Sequence, residues 1–290
     1  MFYSLFKFIL PFKVKEFLKY LMFIKYHNFN NFMEINMYKT KFYIPKSDLK
    51  LENNIYYRVI KKEEESVDLI KKIHKFFKTD LIIDIGANIG YWSFIRKQHL
   101  TNIEQFFCIE PSKISFNFLK KNLKKYNDFK VYNLGLGNSE EVKKLSFPYW
   151  ENKNSYRIQN LGLRSIYGDT NLLAEEIKII KFDQLFPFNK FINKSIFIKI
   201  DTEGYELEII KGMHNFISNV KEIILELELN HKIFENISQN ILSELLQILK
   251  NYNFQVYYYK NQEIIKLEYD KVREMVKKET LNIYFKKINF

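Results

Sequence analysis

The feature that most constrains the fold is a regular alternation of short apolar runs with amphipathic stretches, which begins near residue 80. The apolar runs are rich in β-forming residues and fall at 81–85, 105–110, 130–134, 195–200, 221–228, 254–259 and 281–286. Helical stretches lie between most of them, at 91–98, 112–126, 204–218, 238–251 and 269–278. Strands that alternate with helices typically form a largely parallel sheet with both faces covered. The sequence therefore predicts an α/β fold with a doubly wound sheet.

The rest of the chain adds pieces around this pattern. Ahead of it, extended segments are predicted at 41–45 and 54–60, followed by a helix over 63–77. The segment 138–194 interrupts the alternation, and within it EEIKIIKFDQLF predicts a strand that leads into a short helix. With 47% hydrophobic and 28% charged residues, the chain can form a packed core, which excludes wholesale disorder. We expect one main domain over 51–290.

A basic, aromatic extension over 1–50 precedes that domain. It contains nine lysines and three acids, which gives +6 of the total net charge of +12. Apolar side chains in 1–38 recur near a helical period, interrupted at Pro11, and predict a helical extension. Such a helix either packs on the body of the protein or rests on an anionic membrane face. Because lysine recurs every few residues and no small-residue cleavage site follows, we expect neither a membrane span nor a signal peptide.

The single cysteine and the net charge bound the compartment and the partners. Cys108 lies inside the apolar run FFCIE, so no disulfide framework is available and a reducing compartment fits. We expect a cytoplasmic protein, with peripheral contact at the inner face of the membrane if the N-terminal helix binds lipid. A basic chain attracts nucleic acid, anionic lipid or an acidic polymer, and a lysine-rich coding bias produces the same excess, so charge alone selects no partner.

The first predicted strand ends in a motif with the chemistry of a ligand-binding loop. The stretch LIIDIGANIGYWSFI contains Asp84, Gly86, Asn88 and Gly90, with the two glycines four residues apart. Ligands of parallel sheets bind beyond the carboxyl ends of the strands, and glycine lets the backbone approach closely. The G-x-G-x-x-G pattern of dinucleotide sites is absent, and an acid beside the loop repels pyrophosphate but accepts a hydrogen bond from an amine. S-adenosylmethionine carries both an amine and a sulfonium.

The next two strands end in residues that suit the rest of that cofactor. Glu110 closes FFCIE twenty residues after Gly90, where an acid at a strand end holds ribose hydroxyls. Asn133 and Gly135, at the end of the following run, are placed near the adenine edge. Strand-end acids and turn glycines also occur for structural reasons alone, and it is the order of all three signals that favours a cofactor site.

A second charged motif ends the strand at 195–200. IFIKIDTEGYELEIIKG places Lys199, Asp201 and Glu203 at the mouth of a central strand, and Gly204 follows where a helix begins. Buried charges are unfavourable unless they are paired or used in function. Acids at a helix N-terminus are stabilising by themselves, which is the simpler interpretation for Glu206. For Asp201 and Glu203 we favour a catalytic role.

These two motifs together resemble the FkbM family of S-adenosylmethionine-dependent methyltransferases. The resemblance runs from about residue 80 to the closing LNIYFKK and includes EIKIIKFDQL. It implies a Rossmann-like methyltransferase sheet with an antiparallel last strand, and O-methyl transfer to hydroxyls of sugars or polyketides. By position, the loop that would bind the methionine end of the cofactor comprises Asp84, Gly86, Asn88 and Gly90.

The resemblance also assigns the remaining site residues. Glu110 would hold the ribose, and Asp201 with Glu203 would face the transfer site. The LGLRSI stretch matches only part of the family's middle-loop pattern and makes Arg164 and Ser165 candidate acceptor-binding residues. The expected acceptor is a small molecule or glycan hydroxyl, such as a sugar of a surface polysaccharide.

A hydroxyl acceptor needs a base, since a carboxylate that takes its proton accelerates transfer by roughly 10²–10⁴-fold. Asp201 is the first candidate, and His231 is the second because it follows a predicted strand end and titrates near neutrality. We expect no metal, because the five histidines have no metal-binding spacing and no third acid stands beside Asp201 and Glu203 in this motif.

Three other functions stay open from the sequence. A nucleic-acid methyltransferase fits the charge of +12, but acids in IDTEG would repel phosphate, so we expect no nucleic-acid partner. A nicotinamide-dependent oxidoreductase is disfavoured because the G-x-G-x-x-G loop is missing. A non-catalytic membrane-surface protein would use only the basic N-terminus.

Overall fold

A computed structural model of the protein describes residues 32–45, 67–146, 164–167 and 174–289. In chain order its strands are β1 (Phe32–Met37), β2 (Thr40–Pro45), β3 (Leu81–Ile85), β4 (Gln105–Ile109), β5 (Phe129–Tyr132), β6 (Gly135–Gly137), β7 (Glu141–Leu145), β8 (Glu175–Lys181), β9 (Ser195–Ile200), β10 (Glu222–Leu229), β11 (Gln255–Lys260), β12 (Glu263–Leu267) and β13 (Leu281–Ile288). Its α-helices are α1 (Val67–Phe77), α2 (Tyr91–His99), α3 (Lys113–Leu123), α4 (Phe182–Leu185), α5 (Glu206–Lys211), α6 (His214–Asn219), α7 (His231–Asn236), α8 (Gln239–Asn251) and α9 (Tyr269–Val276). A 3₁₀ turn spans Phe188–Lys190.

The central layer is an eight-stranded sheet in the order β12-β11-β13-β10-β9-β3-β4-β5. The run from β10 to β5 is parallel throughout, as the alternation of strands and helices predicts. Strand β13 lies antiparallel between β10 and β11. The α/β fold with a largely parallel sheet and an antiparallel last strand is therefore confirmed.

Most predicted elements appear within a residue or two of their expected bounds, and one predicted helix is divided. The stretch predicted as helix over 204–218 forms α5 and α6, which are separated at Gly212 and Met213. The carbonyl of Gly137 passes so close that a Cβ on Gly212 would lie 1.9 Å from its oxygen. Strand β12, which extends the sheet as a hairpin with β11, was not predicted.

The two faces of the sheet differ in chemistry. Alternation along β9 places Ile196, Ile198 and Ile200 on the face covered by α5, α6, α8 and α9, where they join the largest core cluster. We call this the apolar face. The opposite face, covered by α1 and α2, carries a row of three register partners, namely Asp84, Lys199 and Glu226. We call it the charged face.

A second, smaller sheet lies beyond the carboxyl ends of the strands of the main sheet. It has the order β6-β8-β7, with β6 parallel and β7 antiparallel to β8. Strand β8 followed by α4 confirms the strand and short helix that EEIKIIKFDQLF predicts. Ile177 and Ile179 of β8 pack into the cluster of the apolar face, so this sheet is joined to the main core.

The predicted N-terminal helix over 1–38 is wrong at its end. Residues 32–37 form β1, which pairs antiparallel with β2 through a two-residue turn at Tyr38 and Lys39. Both turn residues have positive φ, which suits the twist of a tight hairpin. Phe42 of β2 is fully buried against helices of the charged face. Tertiary contact therefore outweighs the helical period that the apolar residues suggested.

The remaining N-terminal predictions lie mostly outside the described residues. The structure does not describe residues 1–31, the predicted strand at 54–60 or the start of the helix predicted at 63–77. Helix α1 confirms the end of that predicted helix. The boundary between an extension over 1–50 and a domain over 51–290 stays a prediction. The described hairpin is tied to the domain, since Tyr43 N donates to Asn122 Oδ1 at 2.7 Å and Asn122 Nδ2 donates to Tyr43 O at 3.0 Å.

Among the described helices, none combines the length and hydrophobicity that crossing a bilayer requires.

Candidate active site

A cavity of about 300 Å³ opens at the carboxyl ends of the central strands, where parallel sheets place their ligands. It is bounded by the loops after β3, β4 and β9 and by the end of β10. The residues that carry its chemistry are Gly86, Asn88, Tyr91, Trp92, Glu110, Gly135, Arg164, Lys199, Asp201, Glu203 and Glu228. The structure thus brings together most of the predicted site residues and adds three that the sequence did not indicate, Tyr91, Trp92 and Glu228.

The loop after β3 is fixed by contacts within the protein. Gly86 has φ +82°, and a Cβ there would lie 1.8 Å from the carbonyl oxygen of Asp201. Its amide and that of Ala87 both donate to Ile109 O at 3.0 Å. Gly90, also at positive φ, packs against side chains of α3 and does not line the cavity. Gly86 is therefore required for close packing of this loop on the loop after β9, and Gly90 for packing on α3, while Gly86 and Asn88 line the cavity.

Asp84 lies beneath this loop rather than in the cavity lining. It is fully buried on the charged face, accepts a hydrogen bond from Ser93 Oγ at 2.6 Å and lies 4.0 Å from Lys199 Nζ. Burial raises the pKa of its carboxyl, and the nearby Lys199 opposes that shift. This location corrects the expectation that the Asp84 carboxylate meets the ligand directly. Its place inside β3, between two residues of the apolar face, already turns it away from the strand end.

Glu110 lines the cavity and ties two loops together. Its Oε2 accepts from the amide of Asn88 and its Oε1 from the amide of Ser112, both at 2.8 Å. Burial raises the pKa of Glu110 to about 7, against the effect of these two hydrogen bonds. Asn133 stands behind the same turn, where its Nδ2 donates to the carbonyls of Glu110 and Pro111. Asn133 positions the turn, and Gly135 lines the cavity.

Three carboxyl groups meet on the opposite wall of the cavity. One oxygen each from Asp201, Glu203 and Glu228 lies within 4.8 Å of the others. The ammonium of Lys199 lies 2.7 Å from Asp201 Oδ2 and supplies positive charge to this group. Glu228 is the third acid whose lack in the sequence motif argued against a metal, so that premise is wrong, and the absence of a metal stays a prediction, now supported only by the engagement of Asp201 with Lys199. We call Asp201, Glu203 and Glu228 the carboxyl cluster.

Register explains why Glu228 was missed as a site residue. Leu227 is the register partner of Ile200, so the next residue of β10 stands beside Asp201. Alternation with leucines along β10 showed only that Glu226 and Glu228 share a face. A prediction that β9 and β10 are parallel neighbours, combined with their register, would have found it.

The three carboxyl groups of the cluster differ in pKa and therefore in charge. Burial acts to raise the pKa of Asp201, but the Lys199 ammonium and a hydrogen bond with Glu228 outweigh it and leave the pKa below its ordinary value. The negative charge of Asp201, together with burial, raises the pKa of Glu228 to about 10. Burial and the same charge raise the pKa of Glu203 to about 8. At neutral pH the protein therefore keeps Asp201 ionised and a proton on Glu228.

The turn around Glu203 is built by neighbouring side chains. Glu203 has φ +54°, and its carbonyl accepts from Ser165 Oγ at 2.6 Å. Its carboxylate accepts from Asn230 Nδ2 at 3.3 Å. Glu206 Oε1 accepts from the amides of Thr202 and Gly204, which is the structural role that the sequence favoured for Glu206.

The two predicted acceptor-binding residues have different places. Arg164 lines the cavity and is held by Glu175 at 2.7 Å and by Ser112 Oγ at 2.9 Å. Ser165 does not line it and instead supports Glu203 from behind. The guanidinium of Arg164 is thus already engaged on its outer side, next to the turn that carries Glu110.

His231 is not part of this site, which corrects its prediction as an alternative base. It begins α7 and lines a separate groove with residues of α8 and α9. Its Nδ1 lies 3.2 Å from Thr280 Oγ1. The strand end that precedes it turns the chain away from the cavity, and Asn230 is the residue of that turn that reaches the carboxyl cluster.

Trp92 forms an aromatic wall of the cavity that the sequence did not indicate. The guanidinium of Arg96 lies 3.4 Å from the centre of its ring, and Lys199 Nζ lies 5.7 Å from the same centre. Arg96 is fully buried and lies 3.7 Å from Glu226 Oε2. The ring therefore lies close to two cations of the charged face.

The sheet order, the antiparallel last strand and a cavity over the first strand-to-helix loop define a Rossmann-like methyltransferase fold. Comparison of the sequence with known families agrees, because the Methyltransferase FkbM domain matches residues 84–256, more than half of the chain. The protein belongs to the FkbM methyltransferase family.

Individual relatives and solved structures have low sequence identity to this chain. The hexuronic acid methyltransferase AglP of Haloferax volcanii is 26% identical over 170 residues, which cover 59% of this chain and 64% of the relative. The chain thus matches under two thirds of that protein's length. A crystal structure of methyltransferase FkbM from Methylobacillus flagellatus is similar with 19% identity and a TM-score of 0.43, over 71% of this chain and 43% of that one. The TYW2 structure of M. jannaschii in complex with AdoMet has 9% identity and a TM-score of 0.41, over 90% and 87%.

Proposed function

We propose that the protein is an S-adenosylmethionine-dependent O-methyltransferase that acts on a hydroxyl of a sugar in a surface polysaccharide or another glycan. The observation that carries this proposal is the cavity itself. One wall is the loop of the family motif, and the other is a lysine-held aspartate beside two further carboxyl groups. The sugar acceptor is suggested by the family resemblance and by the name of the archaeal relative.

The donor set of the cavity suits this cofactor. The described lining residues include four carboxyl groups, and its two cations, Lys199 and Arg164, are already engaged by acids of the protein. An ammonium and a sulfonium are attracted to such a wall, whereas a pyrophosphate is repelled. When bound, the cofactor supplies a methyl group that is already activated as part of a sulfonium.

The protein's own residues then have simple roles. We assign the loop at Gly86 and Asn88 to the methionine end and Glu110 to the ribose, with Gly135 beside the adenine. Asp201 takes the proton of the acceptor hydroxyl, since Lys199 keeps it ionised at neutral pH. Trp92 lines the cavity beside Lys199 and reduces the access of water to this wall, which strengthens the charges there.

Two experiments test the proposal. Calorimetric titration with S-adenosylmethionine should show binding at a single site, and absence of binding by the wild type would reject the proposal. Labelled methyl transfer to glycan extracts of the source cell should identify the acceptor.

The role of Asp201 has its own test. Asp201→Asn should retain cofactor binding and lower turnover by roughly 10²–10⁴-fold, because the amide cannot accept the proton. Asp270→Asn, the same change at a residue that is 91% exposed on α9, is the matched control and should keep full turnover. Turnover of Asp201→Asn at the wild-type rate would reject the base assignment.

We also propose that the basic N-terminal segment brings the enzyme to an anionic membrane face. Its lysine content supports this, and the hairpin β1–β2 sets the cleanest truncation, since removing residues 1–31 leaves the hairpin intact. Liposome sedimentation should show binding of the full chain to anionic vesicles and loss of binding after truncation. Equal sedimentation of both forms would contradict the membrane role.

A further inference from the structure

Glu228 is held in a position where its charge depends on that of its neighbours. The charged and polar groups that face it come from three elements and one loop. They are Lys199 on β9, Asp201 and Glu203 in the loop that follows β9, Trp92 on α2, and its register partner Asn282 on β13. Lys199 lies 2.7 Å from Asp201 and 4.0 Å from Asp84, so it is shared by two other acids.

The three acids of the carboxyl cluster lie near one cation, Lys199. Ionisation of all three in a half-buried site is energetically unfavourable. Asp201 has the direct contact with Lys199 and therefore keeps its negative charge. Glu228, which is hydrogen bonded to Asp201, keeps the proton. A further positive charge in the cavity would change this balance, because it would compensate a second carboxylate.

We propose that Glu228 exchanges a proton in step with the charge of the bound cofactor: it releases the proton when a sulfonium enters the cavity, and it regains one when methyl transfer leaves a neutral thioether. This inference rests on the proposed function, and it adds a proton-holding residue to the site. An opposite charge within about 4–6 Å lowers a carboxyl pKa by roughly 1–3, which brings Glu228 from about 10 into the range where it titrates near pH 8.

The step balances in atoms and charge. The acceptor oxygen forms a bond to the methyl carbon while the bond from sulfur to that carbon breaks, and the electron pair stays on sulfur. The hydroxyl proton passes to Asp201 and ends on Glu228, because Lys199 favours the ionised form of Asp201. Glu228 thus returns to its protonated resting state, opposite a cofactor that has lost its sulfonium charge.

The consequence is a built-in preference for the charged donor over the spent product. A deprotonated Glu228 attracts the sulfonium, and a reprotonated one removes that attraction once the methyl group has left. Product release is then favoured by the same proton that the reaction transfers.

The test is calorimetric titration of the whole chain at pH 8 in two buffers that differ in ionisation enthalpy. The buffer dependence of the binding enthalpy gives the number of protons released. At pH 8 the wild-type protein should release about half a proton more than Glu228→Gln when S-adenosylmethionine binds, because Glu228 is protonated in the free protein and about half ionised in the complex. The ligand's own amine contributes equally to both proteins. With S-adenosylhomocysteine, which has no sulfonium, the difference between the two proteins should disappear.

Glu222→Gln is the matched control, because it makes the same change at the other end of β10, where Glu222 pairs with Lys286 at 2.7 Å. It should release as many protons as the wild type. If Glu228→Gln does not fold, the comparison of the two ligands on wild-type protein still decides the matter, since equal proton release with both would overturn the proposal. If proton release on S-adenosylmethionine binding is lost in Glu203→Gln but kept in Glu228→Gln, then Glu203 is the group that loses the proton, and the proposal for Glu228 is overturned. Failure of wild type to bind either ligand would instead reject the proposed function.

Discussion

Along β10, Leu225 and Leu227 point to one side of the sheet, while Glu226 and Glu228 point to the other. The leucines are fully buried on the apolar face, and each contributes roughly 1.5–3 kcal/mol by leaving water. Glu226 is only 2% exposed, although burial of an acid is unfavourable unless a partner compensates it. One strand therefore serves two purposes. Its apolar side holds the domain together, and its acidic side leads into the carboxyl cluster.

The charged face is stable because its groups compensate one another. Arg96 is placed between Trp92 and Glu226, and Lys199 between two aspartates. Such an arrangement depends on every member, since removing one partner leaves another buried and uncompensated. The apolar face has no comparable dependence, because hydrophobic contacts are many and individually small. The two faces should therefore respond differently to substitution, salt and pH.

The largest effect is expected on the charged face. Arg96→Met should destabilise the protein by roughly 3–5 kcal/mol, because Glu226 would remain buried without its cation. Urea denaturation measures the change. The double variant Arg96→Met with Glu226→Leu should regain part of the loss, since both charges are then removed. A single variant within 1 kcal/mol of wild type would show that water already solvates this pair.

A smaller effect is expected on the apolar face. Leu225→Ala should cost about 3 kcal/mol through lost burial and a residual cavity. The loss should be the same at low and high salt, because no charge is involved, and calorimetric binding of S-adenosylmethionine should be unchanged. A loss of stability in Leu225→Ala that depends on salt would contradict the expected difference between the two faces.

The smallest effect is a pH dependence carried by His74. Burial, and then the charge of Arg96, hold the pKa of this α1 histidine well below its ordinary value, so the folded protein keeps it neutral. The unfolded chain protonates it below about pH 6.5. Its contribution is therefore fully present above that pH and is lost as pH falls towards the folded pKa, by up to ~1.4 kcal/mol per pH unit. His74→Gln should remove this loss, and denaturation of both proteins at pH 7.5, 6.5 and 5.5 measures it. Parallel stability curves would contradict the prediction.

The sequence predicted the sheet well because its strands are short apolar runs with strong local signals. LIIDI, SIFIKI and EIILELEL are each recognisable alone, and alternation with helices restricts how they can be joined. Strand β2 agrees with the extended segment predicted at 41–45, whereas β1 was missed because it lies inside the stretch 1–38 that was predicted as helix, and its pairing with β2 is a tertiary contact. Strand β12 lies at the sheet edge and carries a weaker pattern, with a half-buried Ile264 and an exposed Ile265.

The site could be predicted as far as it is local in sequence. Glu110 and Asp201 stand at strand ends and were found from that position. Glu228 and Trp92 enter the cavity only through strand register and helix packing, which a single sequence does not specify. Asp84 shows the opposite error, since its motif suggested ligand contact while its position inside β3 turns it under the loop.

The contact between Gly86 and the carbonyl of Asp201 has a consequence for redesign. With no room for a Cβ, the loop after β3 packs directly against the turn that carries Asp201, so under the proposed function a change of that turn to alter acceptor preference would also disturb the loop assigned to the cofactor. Libraries aimed at new acceptors should instead vary the turn after β10, at Asn230, and the segment 164–167. Those positions border the same cavity or its supports and are attached to other strands. Natural divergence within the family is expected to concentrate there for the same steric reason.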